Sequence, residues 1–100
     1  MNQKNDSMKA LQEILSENLL ADAYDLRFLA EWCKKSYPGL EICSEFRRQL
    51  LDAIHHPGLV SPKDYERWTD DESYPTQELL QDHFKMIWKQ CFPGEVPGNS

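Results

Sequence analysis

Glu41 to Gly58 reads E-I-C-S-E-F-R-R-Q-L-L-D-A-I-H-H-P-G, and its periodicity decides the fold. Ile42, Cys43, Phe46, Leu50, Leu51 and Ile54 recur at helical spacing and share one face. The spacing predicts a helix that starts near Glu41 and stops at His55-His56-Pro57-Gly58. Imidazoles there complement the negative pole of the helix, and Pro-Gly cannot continue it.

The same period holds on both sides of this stretch. Upstream, Leu26, Leu29, Ala30 and Cys33 form a stripe flanked by Phe28 and Trp32. Asp22 is its expected N-cap, Asp25 places an acid in the first turn, and Tyr37-Pro38-Gly39 ends it after Lys34 and Lys35. Before it, Met8, Leu11, Ile14, Leu15 and Leu19 predict a helix opening at Asp6 or Ser7 and running to about Leu20. One long bent helix over 7–35 is the alternative reading. Downstream, Ser61-Pro62-Lys63-Asp64 combines an N-cap serine, a proline at the first helical position and an early acid, and predicts a short helix from Pro62 to Trp68. A last helix begins at Pro75 or Thr76, carries Leu80, Phe84, Ile87, Trp88 and Cys91, and ends at Phe92-Pro93-Gly94. No stretch alternates with period two for long enough to make a strand. The expected fold is all-α: a compact bundle of four to five short helices forming a single domain over 7–92, with a flexible N-terminus (1–6) and a flexible C-terminal tail (93–100).

Composition narrows the function classes. The chain has 100 residues, too few for a barrel or a dinucleotide-binding domain. Apolar residues make up 40% and charged residues 28%, the balance of a folded domain. Seventeen acids against eleven bases leave a net charge of −6, the wrong sign for a nucleic-acid-binding module. Lys34-Lys35 and Arg47-Arg48 are short basic pairs that read as solvated helix faces. No apolar run approaches the ~18 residues of a membrane span, and no helix has the basic polar face of an interfacial one. The polar start, Met1 to Ser7, lacks a secretory signal and points to a cytoplasmic location.

Chemistry-bearing patterns are absent. Cys33, Cys43 and Cys91 are odd in number and form no C-x-x-C pair, so they read as buried, reduced thiols. His55 and His56 point about 100° apart on a helix and cannot both ligate one ion. His83 lies on the edge of an apolar stripe and reads as a hydrogen-bonded, partly buried side chain. No calcium loop, G-x-S-x-G turn or phosphate-cradling glycine loop occurs. The expectation is no enzyme, no cofactor and no metal.

One segment stands out. Lys63 to Tyr74 reads K-D-Y-E-R-W-T-D-D-E-S-Y, five acids against two bases with three aromatics threaded through. The bland reading makes Tyr65 and Trp68 core anchors and the acids a solvated turn. The functional reading makes Asp64, Tyr65, Glu66, Trp68, Asp70, Asp71, Glu72 and Tyr74 a partner-binding surface, since acids beside amphipathic aromatics suit a basic groove.

In size, charge and class the chain resembles bacterial immunity proteins and antitoxins, and the small inhibitors that phages make. The likeness covers no particular stretch of residues. It implies a stoichiometric inhibitor that occludes the basic active site of a toxin, such as a nuclease. The rival expectation is a helical adaptor or regulatory subunit that homodimerises through apolar helix faces. Salt separates the two, because screening weakens only the first.

Overall fold

In the computed structural model, residues 8–19 and 25–95 are described. They form five helices: α1 (Lys9–Asn18), α2 (Leu26–Ser36), α3 (Glu41–His55), α4 (Pro62–Thr69) and α5 (Gln77–Cys91). The fold is all-helical, and no strand occurs among the described residues. A radius of gyration of 12.5 Å matches the roughly 13 Å of a compact chain this long.

The helix starts follow local chemistry where the sequence supplies it. Ser61 and Asp64 make a reciprocal capping box at α4, with Pro62 at the first position. Thr76 caps α5 by accepting the Leu79 N–H at 3.2 Å. At α2 the cap is Asp25, whose carboxylate accepts the Phe28 N–H at 2.9 Å. This corrects the assignment of Asp22, which lies outside the described residues, as do Asp6 and Ser7. Leu19 and Asp25 are both non-helical, so α1 and α2 are separate helices and not one bent rod.

Two glutamines finish what local capping leaves open. The start of α1 has no side-chain cap of its own. Instead, Gln49 of α3 reaches across and accepts the Leu11 N–H at 2.8 Å in the buried interior. Gln81 of α5 donates to the carbonyls of Ala53 and Ile54 at the end of α3, both at 2.9 Å, and accepts from Gln77 at 2.8 Å. The bonds to Leu11, Ala53 and Ile54 each satisfy a backbone group that a helix end would otherwise leave unpaired. They fasten α5 to α3 and α3 to α1, the pairs that also pack together.

The core gathers Leu11, Leu15, Leu29, Phe46, Leu50, Leu80, Phe84 and Trp88, all essentially inaccessible. Of the expected stripe residues, Leu26 and Leu51 are only half-buried and Ile42 is 41% exposed, and the flanking Phe28 is 62% exposed. Arg47, read from the sequence as part of a solvated face, instead lies over Trp88 at 5.0 Å and Tyr37 at 5.4 Å. Its guanidinium donates to the Glu95 carboxylate, and Trp88 Nε1 donates to the Glu95 carbonyl at 3.0 Å. Glu95, read as part of the tail, is thus fastened at two points. Residues 96–100 lie outside the described residues.

Candidate functional site

The segment from α4 to the start of α5 is built from the inside outward. Tyr65 is fully buried. Its hydroxyl shares a 2.8 Å hydrogen bond with His83 Nε2, and its ring meets His83, Tyr74 and Phe84 edge-on. Tyr74 stacks on His83 with centroids 4.1 Å apart and planes inclined by 16°. The return strap from α4 to α5 is therefore pinned by an aromatic stack one residue before the turn into Thr76.

Burial pushes the His83 imidazole down to about 4, and the negative charge of Asp71 opposes that fall. The ring is neutral at pH 7. Its Nδ1 is buried with no hydrogen-bond partner among the described residues.

The acids divide into those the fold uses and those it presents. Asp64 accepts the Ser61 N–H at 3.1 Å and an Arg67 N–H at 2.8 Å. Asp70 terminates α4 in the left-handed region at φ 62°, where its N–H bonds the Glu66 carbonyl at 2.7 Å. Aspartate is among the few non-glycine residues that visit this region readily. Asp71 accepts the Ser73 N–H at 2.9 Å and holds the next turn. Thr69 donates to the Tyr65 carbonyl at 2.8 Å, closing the last turn of α4. Glu66, Asp70 and Glu72 are exposed, and Asp71 is half-buried. Glu66 and Asp70 share a shallow hollow with Lys63 and Arg67, so the unbalanced negative tip is Asp71-Glu72.

The eight sequence-predicted site residues therefore occupy one region but not one surface. Tyr65 is corrected: it has no exposed area to offer a partner and serves to position the loop. Trp68 and Tyr74 are half-buried and pack against the core, so neither projects from the surface. Asp64 is a capping residue. The exposed carboxylates of Glu66, Asp70 and Glu72, with the edge of Asp71, form the available face. Asp70 and Asp71 also shape the backbone that carries the charge, so they are more than a solvated turn.

The thiols are buried and free. Hydrogen bonding to Cys91 and burial raise Cys33 far above the ordinary thiol range, and burial pushes Cys43 up to about 12. Neither is a thiolate at neutral pH, which is what a nucleophile or a metal ligand requires. Among the described residues no group of three or more His, Cys, Asp or Glu is arranged to hold a metal ion. No helix among them is long and apolar enough to cross a membrane.

Sequence reasoning missed Gln49, Gln81 and Arg47. Gln49 and Gln81 each carried a signal, as a polar residue beside Leu50 or Leu80 on the buried face of its helix. Comparison with known proteins finds no matching family, no matching curated protein and no matching solved structure.

Proposed function

We propose that this chain is a protein-binding module that takes a basic partner, in its sharpest form an immunity-type inhibitor that occludes the cationic active site of a toxin such as a nuclease. The observation that supports this most is the fixed presentation of carboxylates at the end of α4. A capping box, a left-handed aspartate, an aspartate-held turn and the Tyr74–His83 stack define the loop's shape before any partner arrives. A preorganised charged edge avoids the ordering cost of binding and steers a cationic partner by its field.

The variant D70N/D71N/E72Q removes the charge and keeps the backbone, because asparagine also tolerates the left-handed region and accepts the turn hydrogen bond. Immobilised wild-type chain is expected to capture a basic protein from bacterial lysate at low salt and release it at high salt. The triple variant is expected to bind that protein at least about tenfold more weakly, equivalent to ~1.4 kcal/mol. Equal capture by both chains overturns the role of this edge.

The rival reading, homodimerisation, has one observation in its favour: Phe28, Leu40 and Ile42 remain exposed on α2, α3 and the turn between them. It requires a concentration-dependent dimer that salt barely affects.

A further inference from the structure

Helices α1, α2 and α3 leave a furrow that the core does not fill. Its deeper part, about 200 Å³, is lined by Glu13, Ile14 and Glu17 of α1, Phe28 and Trp32 of α2, and Ile42 of α3. A shallower part of about 370 Å³ continues past the shared Glu13 and Ile42 to Glu41 and Glu45 of α3. Ile14, Phe28, Trp32 and Ile42 put apolar side chains in its floor among polar ones, and Phe28 is 62% and Ile42 41% exposed. Single exposed apolar residues are ordinary, but apolar side chains gathered in a furrow with an acidic border mark an interaction site.

The rim is predominantly acidic. Glu13, Glu17, Glu41 and Glu45 border the furrow, and Lys9 is the one cation lining it among the described residues. Glu45 already holds Arg48 at 2.9 Å. Glu13, Glu17 and Glu41 form no ion pair among the described residues. Glu41 stands in the first turn of α3, where a carboxylate suits the helix dipole, whereas Glu13 and Glu17 have no ion pair or capping role among the described residues.

We propose that this furrow docks a cationic amphipathic helix of another protein. Apolar side chains at i, i+3 or i+4, and i+7 enter the floor, and flanking lysines or arginines meet the glutamates. Charge selects this occupant over a second copy of the chain. A two-fold dimer centred here sets each glutamate rim against its own copy, between molecules that each carry −6. The walls select a helix over an extended peptide, because the furrow runs between helices and offers no strand edge to extend. The proposal does not rest on the acidic loop, which belongs to different elements.

The test uses the full chain, isotope-labelled, and two synthetic helical peptides of about 18 residues with one leucine stripe. One carries lysine on its flanks and the other glutamate. The lysine peptide is expected to bind and to shift amides around Glu13, Phe28 and Ile42, with the glutamate peptide at least about thirtyfold weaker. The variant E13Q/E17Q is expected to weaken the lysine peptide about tenfold while melting like wild type. D70N/D71N/E72Q is expected to bind it as wild type does, so failure of the loop and failure of the furrow are separable. Equal binding of the two peptides overturns the proposal, as do shifts that gather at 70–73. A wild-type dimer in sedimentation that Ile42→Asp dissociates also overturns it, and assigns the furrow to a second copy.

Discussion

The α4–α5 loop and the α1–α2–α3 furrow are both acidic, but they are built in opposite ways. At the loop the aromatics turn inward. Tyr65 is sealed in the core, Tyr74 lies on His83, and what reaches solvent is charge with little apolar area. At the furrow the apolar residues stay outside. Phe28 and Ile42 are exposed, and glutamates border them. Charge alone gives fast, salt-sensitive encounter. Charge around apolar surface gives contacts that persist when salt screens the rim. An acidic segment containing aromatics is therefore not by itself a mixed binding surface. Which way the rings face decides that, and the rings at the loop are spent on holding it.

The largest expected effect breaks the comparison if it is wrong. Tyr65→Ala should cost about 3–5 kcal/mol, because it empties a fully buried ring site and strands His83. Phe28→Ala should change stability by less than about 0.5 kcal/mol, since the ring is mostly in water already. Urea midpoints measure both. Similar costs for the two variants mean that the loop's aromatics and the furrow's are not differently employed.

A second test sharpens the contrast through pH. The unfolded chain's His83 titrates near ~6.5, but burial holds the folded ring down to about 4. Between these values the unfolded state takes up a proton that the native state refuses, so stability falls as pH falls. The contribution is fully present above ~6.5 and is lost through about pH 4, a loss on the order of 3 kcal/mol. His83→Phe keeps a ring against Tyr74 and removes the titration. Its unfolding free energy should decline less than that of wild type between pH 7 and 4.5. Equal declines in urea titrations contradict a buried neutral imidazole. No histidine lines the furrow, so acid should loosen the loop's foundation first.

What the sequence disclosed was local. The α3 stripe and its His-His-Pro-Gly stop predict the observed Glu41–His55 helix, and Ser61-Pro62-Lys63-Asp64 predicts the serine cap and first-turn acid of α4, because both signals lie within a turn or two of chain; the reciprocal bond from the Ser61 N–H to Asp64 is added by the structure. Asp25, not Asp22, is the observed cap of α2; both residues have the right chemistry, so residue type alone does not locate the helix start. The Gln49–Leu11 and Gln81–Ile54 bonds span 38 and 27 residues, and no periodicity encodes them. Ile42 sits in register with the α3 stripe, but its place near the helix start leaves it in the furrow, where α1 and α2 do not close over it. The acids at 70–72 were legible as a cluster. Their division into backbone-shaping and presented carboxylates was not, because that depends on the left-handed turn at Asp70.

The most direct measurement maps the partner captured by the wild-type chain onto its backbone amides. Adding that partner to isotope-labelled protein at low salt should perturb Glu66 and residues 70–73 first, and the perturbation should shrink as salt is raised. Shifts confined to Phe28, Ile42 and their neighbours, with 70–73 unmoved, contradict the assignment of the acidic loop as the primary recognition edge.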